Sequence, residues 1–383
     1  MAPSHTIVVD AGSYSLSETA IAGAGQRLVE ITQALGDRHA VRVIARPAPD
    51  IVDLGAADLV PPSAAEPAIA AADAVLFFDT PDRERIELAV AHRKVIVGEC
   101  RAPLEHMGYP SVLACPDPTG EHQRFLGAYR RLLQVAHHFL CRSQVERAAL
   151  LSTLCAFGRI TPPDMVRSWT LDHLVTTVPV GFSRRGLAAA DAAVPRHLAD
   201  FLWTGGIWAF FQPLMLVEAM AVLRDRGVDA TAAYLHAAPT EDTRATIDSV
   251  AKAIADAALA DRVYLRTEAL PLSERDQYVK AAQAYVCVAK PGVENETGTR
   301  LRLRDTWLHG IPTVIDPYGI SGDLVASEGL GVVLRDPSPE SLADALQAVK
   351  TGAVAAPGRR LERLYETSTA AFADWLDEEL RRG

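Results

Sequence analysis

Short apolar runs, each closed by a polar or acidic residue, alternate with helical periodicity along the chain. The first run, Thr6 to Val9, is β-branched and stops at Asp10-Ala11-Gly12. Gln26 to Leu35 follows as a helix, with Leu28, Ile31 and Leu35 on one face. Val41 to Ala45, Ala74 to Phe78 and Val95 to Val97 read as strands, the last two leading to Asp79 and Glu99. Arg83 to Ala91 and Phe125 to Val135 read as helices, and His137 to Cys141 as a strand. Ser143 is placed to cap the helix after it. Thr176 to Val180 is extended and enters Gly181.

Residues 183–198 are rich in Ala and Arg and carry no apolar stripe, so the linker is placed there. The alternation then restarts. Phe201 to Trp203, Thr231 to Leu235, Val263 to Leu265, Ala284 to Val288 and Thr313 to Ile315 read as strands. Pro213 to Leu223, Thr243 to Ala258, Leu272 to Ala282 and Thr299 to His309 read as the helices between them. Residues 340–350 and 360–380 are further helices. Continuous apolar strands alternating with helices predict parallel sheets covered on both faces. The fold class is therefore α/β, with two doubly wound domains of similar size. Ligands of such sheets bind beyond the carboxyl ends of the strands, where Asp10, Asp79 and Glu99 fall.

The length of 383 residues agrees with two domains at about 150 residues each. With 38 basic and 48 acidic side chains the net charge is −10, which opposes general nucleic-acid binding. Only five basic residues are lysine (Lys94, Lys252, Lys280, Lys290, Lys350), an Arg excess that fits GC-rich coding. No uncharged apolar run has the roughly 18 residues of a membrane span. The start lacks a signal-peptide pattern, and the five cysteines are dispersed without a C-x-x-C pair. These features predict a cytoplasmic protein with reduced thiols. His137-His138 has no companion at metal-ligand spacing, so no metal site is expected. Gly23-x-Gly25 opens the first helix, but Leu28 stands at the third Gly position of the dinucleotide fingerprint, which argues against NAD. There is no G-x-S-x-G elbow, H-E-x-x-H or P-loop.

The chemistry concentrates in Lys290 to Pro312, KPGVENETGTRLRLRDTWLHGIP. A buried strand ends at Ala289, and a polar loop then carries Glu294 and Glu296. Thr297-Gly298-Thr299 is expected to open a helix, whose unpaired N–H groups and dipole suit a phosphate. Arg300 and Arg304 would share a face of that helix, with Asp305 beside Arg302. Charge runs commonly form a solvated helix face; the position at the mouth of a parallel sheet points to a ligand instead.

This segment resembles the donor-binding segment of retaining glycosyltransferases with the two-domain GT-B fold. The similarity includes the helix ending Gly310-Ile311-Pro312-Thr313-Val314 and the following GISGDLVASEGLGVVLRDPSPESLADAL. It extends to the turn Thr204-Gly205-Gly206-Ile207-Trp208, to Phe139 through Ile160, and to Val178-Pro179-Val180-Gly181-Phe182. The resemblance implies two Rossmann-like domains facing a cleft. Residues 1–185 would bind the acceptor, residues 186–358 the nucleotide sugar, and residues 359–383 would cross back to the first domain. Glu294 or Glu296 would orient the donor sugar, and Thr297, Gly298 and Thr299 would give N–H groups to the diphosphate. Asp305 would hold the ribose, Gly205 and Gly206 would let their turn approach the phosphates, and Arg266 to Leu270 would lie along the base. Gly23 and Gly25 would touch the donor phosphate or the acceptor. Asp10, Tyr14 and Glu99 would contact the acceptor, and Glu105 and His106 the acceptor or the reacting sugar.

Two departures stand out. The family commonly spaces its acids eight residues apart, but Asp305 is nine after Glu296. The family's Arg and Lys after the Gly turn are missing, since Ile207 to Gln212 has no cation. Lys290, Arg300 or Arg302 must then neutralise the leaving diphosphate. The implied activity is sugar transfer from a nucleoside-diphosphate sugar to a hydroxyl or amine, with retention and without a metal or other cofactor. The acceptor would be a sugar, a lipid-linked compound or a small molecule, and a second copy in a homodimer is a further candidate partner. The alternatives are a sugar-nucleotide epimerase or hydrolase, and a non-catalytic partner on the same fold.

Overall fold

A computed structural model of the chain describes residues 5–78, 82–99, 105–235, 240–268 and 270–382, without the side chains of Glu105 and His106. Asp79 and Cys100 therefore lie outside the described residues. The chain divides into two units. One comprises Met1–Ser17, Ala24–Gly186 and Glu362–Gly383; the other comprises Glu18–Gly23 and Leu187–Leu361.

The first unit holds β1 (Thr6–Asp10), β2 (Ala40–Ile44), β3 (Asp58–Val60), β4 (Ala74–Phe78), β5 (Val95–Glu99), β6 (His138–Cys141) and β7 (Val175–Thr177). The second holds β8 (Phe201–Trp203), β9 (Ala232–Tyr234), β10 (Val263–Leu265), β11 (Ala284–Cys287), β12 (Thr313–Ile315) and β13 (Gly331–Val333). All pairings within both sheets are parallel. The orders are β3-β2-β1-β4-β5-β6-β7 and β10-β9-β8-β11-β12-β13. Each order reverses direction once, between β1 and β4 and between β8 and β11, and these are the points where doubly wound sheets bind ligands.

Burial explains which strands the sequence announces. β4 and β11 are buried at every position and read as unbroken apolar runs. β3 is an edge strand of three residues with no buried position, and nothing in the apolar pattern predicts it. The boundary between the units, Gly186 to Leu187, falls in the expected linker, but the segment is not irregular. Arg184–Ala192 is a helix whose sole buried residue is Ala190, so no apolar stripe marks it. Lys280 Nζ caps its end, donating to the carbonyls of Ala190, Asp191 and Ala193 at 2.9, 3.1 and 3.0 Å.

Arg27, on the helix Gly23–Leu35, organises the first unit. It is fully enclosed and donates to Glu99 Oε1 at 2.9 Å, to the carbonyls of Val178 (2.7 Å) and Pro179 (3.1 Å), and to Tyr365 Oη (3.0 Å). Tyr365 Oη also accepts from Gly181 N at 3.0 Å. A Cβ at Gly181 would lie 1.9 Å from the Arg363 carbonyl oxygen, so only glycine lets these strands of chain meet. The helix Ala370–Arg382 buries Phe372, Ala373 and Leu376. Its Trp375 stacks on His138 with ring centroids 4.1 Å apart.

His138 bonds the His173 carbonyl (3.0 Å) and Thr176 Oγ1 (2.8 Å). Burial pushes its pKa down from 6.5 to about 4. Below the ordinary histidine value the unfolded chain takes up a proton that the folded chain refuses, so stability falls with pH through this window. The loss amounts to about 3 kcal/mol on reaching pH 4. In thermal melts at stepped pH, His138→Phe should flatten the fall between pH 6.5 and 4. An unchanged pH slope would contradict the assignment of a neutral, buried imidazole.

Candidate functional site

The second sheet's switch point is built from the chain leaving β8 and the chain leaving β11. β8 ends at Trp203, whose Nε1 donates to the Gly206 carbonyl at 3.3 Å, folding the turn back on the strand. A Cβ on Gly205 would stand 2.8 Å from Arg302 Nη2, and one on Gly206 would stand 2.6 Å from Trp208 Nε1. Close approach of these side chains, rather than backbone angle, therefore favours glycine at both positions, since a Cβ would have to displace them. Lys290 N donates to Phe210 O (3.2 Å) and Gln212 N to Val288 O (3.1 Å), joining the two loops. Asn295 Nδ2 reinforces the seam through Phe210 O (3.1 Å) and Lys290 O (3.0 Å). Lys290 Nζ is exposed and donates to Ala209 O at 2.7 Å. Trp203 and Phe211 are buried, whereas Trp208 and Phe210 pack only partly on the core.

The helix expected from Thr299 to His309 is replaced by two short ones, Val293–Thr297 and Leu303–His309. Thr297-Gly298-Thr299 follows the first instead of opening a long helix. Gly298 N is used by Glu294 O at 2.9 Å, and Thr297 Oγ1 by Val293 O at 2.8 Å. Thr299 is buried. The expected row of unpaired N–H groups at a helix start is therefore overturned. The break has two causes. Ser321 Oγ accepts from Arg300 N at 3.0 Å and bonds Gly298 O at 3.4 Å, holding this stretch extended. Gly319, at φ +59°, packs so tightly on the first helix that a Cβ there would be 2.5 Å from Asn295 O.

The arginines separate by partner. Arg300 is buried and grips Asp316 with two bonds, 2.6 and 2.9 Å, while also donating to Cys287 O at 2.8 Å. Asp316 further accepts from Ala289 N at 2.7 Å and Tyr318 N at 3.1 Å. Arg300 is thereby withdrawn from the diphosphate role expected of it. Asp305 is 1% exposed and bonded by Arg275, with Arg304 Nη1 at 3.5 Å. Burial alone would raise the Asp305 pKa, but Arg275 and Arg304 outweigh it and hold the group below the carboxylate range. Arg302 was its expected neighbour; the ion pairs observed are with Arg275 and Arg304. His309, on the same helix, is held neutral by burial, with a pKa of about 3.

Arg302 differs. Its guanidinium carbon lies 4.1 Å from the Phe211 ring centroid and 4.9 Å from that of Trp203. Nη2 donates to Gly206 O at 3.3 Å, and Nη1 is buried without a partner. Burial lowers its pKa from the ordinary arginine value. A guanidinium nevertheless keeps its charge at neutral pH. Thr204 Oγ1, at the start of the glycine turn, is also buried without a partner. Glu296 is exposed and Glu294 partly buried on the short helix after β11. Gly23 groups with the second unit, where a Cβ would be 3.2 Å from Leu301 Cβ. Gly25 is buried in the first unit's leading helix.

In the first unit, Asp10 ends β1 at the switch point. Its Oδ1 accepts from Arg85 Nη1 (2.5 Å) and Gly12 N (3.0 Å), and its Oδ2 is buried without a partner. Burial raises the Asp10 pKa against the pull of Arg85. Tyr14 N donates to Ala11 O at 3.0 Å, so Tyr14 lies in the same turn. Glu99 was expected at an acceptor; its buried bond to Arg27 makes it part of the unit's framework. Glu105 and His106 begin a short 3-10 helix, and their side chains lie outside the described residues. Among the described residues no three His, Cys, Asp or Glu side chains converge as a metal group. Sequence reasoning missed Asp316, Ser321 and Asn295. Asp316 carried the usable signal, an acid closing an apolar strand as Asp10 and Glu99 do.

No protein-family model matches the sequence, and no curated protein matches it. Solved structures do match. HepE of Anabaena in complex with UDP-glucose aligns with 14% identity and a TM-score of 0.60, over 99% of this chain and 98% of that one. Sucrose-phosphate synthase from Thermosynechococcus elongatus aligns with 13% identity and a TM-score of 0.60, over 99% and 98%. The trehalose-6-phosphate synthase OtsA aligns with 12% identity and a TM-score of 0.63, over 99% of each chain. The chain has the GT-B fold. Within that fold the two sheets observed here are the two Rossmann-like halves, and the glycine turn with the Lys290–Arg302 segment occupies the switch point of the second. In this GT-B chain Asp316 fixes that segment. Asp316→Ala should strand Arg300 in the interior and lower stability by about 3–5 kcal/mol in denaturant titration. A loss below about 1 kcal/mol would show that the pair is dispensable.

Proposed function

We propose that the protein is a glycosyltransferase that moves a sugar from a nucleoside-diphosphate sugar to an acceptor hydroxyl or amine. The carrying observation is the pair of loops at the second sheet's switch point on a GT-B fold. There the Gly205-Gly206 turn permits close approach, and Lys290 and Arg302 are cations without a carboxylate partner among the described residues. The fold neighbour HepE, solved with UDP-glucose, supports the same reading. The second unit is the donor-binding one, and Glu294 or Glu296 orients the donor sugar. The first unit receives the acceptor near Asp10, whose unpartnered Oδ2 is suited to a hydroxyl or amine hydrogen.

Transfer breaks the bond between the anomeric carbon and the diphosphate oxygen, and the electron pair leaves with the diphosphate. The acceptor oxygen or nitrogen bonds to the same carbon and gives its proton to the departing phosphate oxygen on that face, so configuration is retained. No strong protein base is needed. Preorganised cations stabilise the charge that develops on the diphosphate, which is where such sites gain most of their rate. No helix of the described residues is long and apolar enough to cross a membrane.

Glu296→Ala and Lys290→Ala should each lower transfer by about a hundredfold or more, with unchanged melting temperature, since both side chains are exposed. Full activity in both variants would refute this placement of the site. Donor incubated alone should remain intact; rapid release of free sugar or of an epimer would favour the hydrolase or epimerase reading.

A further inference from the structure

Two apolar side chains of the first unit stand almost wholly in solvent on one short connection. Val166 is 87% exposed and Trp169 84%, more than any other large apolar residue among those described. They lie in the chain between β6 and β7, on and just after the short helix Pro162–Arg167. Pro162 and Pro163 are also exposed and share the helix face of Val166, at spacings of four and three. Single exposed apolar residues are ordinary; this pair is held out by the fold. Two residues after Trp169, Leu171 is buried and takes a left-handed backbone, φ +56°, which a leucine adopts only at a cost. The chain thus turns inward at Leu171 and leaves the larger Trp169 outside. Polar neighbours fasten the connection. Arg147 donates to Thr170 O and to Asp172 at 3.0 Å, and Ser168 Oγ bonds Thr170 Oγ1 at 3.0 Å. Asp164 accepts from Thr161 N at 2.8 Å and lies 3.2 Å from His173 Nε2. A tryptophan held this way is a pre-organised anchor, because little freedom is lost when it is covered.

Area and charge indicate what covers it. Trp169 and Val166 present roughly 300 Å² of apolar surface, whereas a stable contact with another protein takes about 800 Å² from each partner. A second copy also carries the net charge of −10 and is repelled. A lipid surface sets no such threshold. Tryptophan settles at the headgroup level, and binding grows with the apolar area inserted and with the cations beside it. The charges of the connection fit that surface. Asp164 is engaged by Thr161 and His173, and Asp172 by Arg147 and Thr170. Arg167, between the two apolar residues, is exposed and has no carboxylate partner among the described residues, so a positive charge is what the tip offers. We propose that this connection is a membrane-surface anchor, in which Trp169 and Val166 enter the headgroup region of a phospholipid bilayer while Arg167 bonds lipid phosphate. The anchor lies on the membrane and does not cross it. It leads into the amino end of the edge strand β7, whereas ligands of the first sheet are expected beyond the carboxyl ends, so it is separate from Asp10. The inference does not rest on the glycosyltransferase reading.

The test is flotation of the full-length protein with vesicles of equal parts phosphatidylcholine and phosphatidylglycerol, together with melting and sedimentation of the free protein. The unaltered protein should float with the vesicles, and its tryptophan emission should shift to the blue. Val166→Ser combined with Trp169→Ser should lower vesicle binding by about tenfold or more. The melting temperature of that double variant should be unchanged, since both side chains are exposed. Arg167→Glu should weaken binding to these vesicles more than binding to phosphatidylcholine alone. No flotation of the unaltered protein, or equal flotation of the double variant, would overturn the proposal. Dimers that form without vesicle binding and are lost in the double variant would overturn it in favour of a second copy as the occupant. A marked fall in the double variant's melting temperature would show that these side chains serve the fold, and would also overturn it. None of these outcomes bears on sugar transfer, which is tested separately.

Discussion

The carboxylate of Asp316, at the carboxyl end of β12, sets the course of the chain around the second switch point. It receives both terminal nitrogens of Arg300 and the N–H of Ala289, so it joins the start of the loop after β11 to a point eleven residues later. With those two points pinned, residues 298–300 cannot continue the helix Val293–Thr297, and the next helix starts only at Leu303. The same constraint separates the neighbouring arginines. Arg300 turns inward to Asp316, and Arg302, two residues on, falls over the glycine turn. One buried ion pair thus sends two arginines only two residues apart to different surroundings.

The Arg excess acquires a structural meaning from this. Arg27, Arg142, Arg275 and Arg300 all make buried ion pairs, and Arg27 and Arg300 also bond main-chain carbonyls. A planar fork can satisfy a carboxylate and a carbonyl at once, which an ammonium group cannot do with the same geometry. Genome bias therefore does not account for the arginines alone.

The architecture was legible because parallel strands buried on both faces are nearly uninterrupted apolar runs. Ala74–Phe78 and Val263–Leu265 have the predicted bounds. Ser143 caps its helix as its residue type suggests, accepting from Glu146 N. What was not legible depends on distant partners. No local pattern separates Arg300, Arg302 and Arg304, because Asp316, Phe211 and Asp305 decide their fates. Glu99 looked like a ligand contact at a strand end until Arg27, 72 residues away, claimed it. Thr297-Gly298-Thr299 had the composition of a helix start, and only Ser321 and Gly319 make it a helix end. The glycine turn was expected to let phosphates approach; the side chains that lie close to it, Arg302 from another segment and Trp208, were hidden from any local pattern.

The central claim is that a nucleoside diphosphate binds at the switch point of β8 and β11. Hydrogen–deuterium exchange of the full-length protein, with and without a saturating nucleoside diphosphate, tests it most directly. Protection concentrated in residues 204–212 and 289–303 is the predicted result. Protection confined to the first unit, or none anywhere under conditions where binding is independently measured, would contradict it.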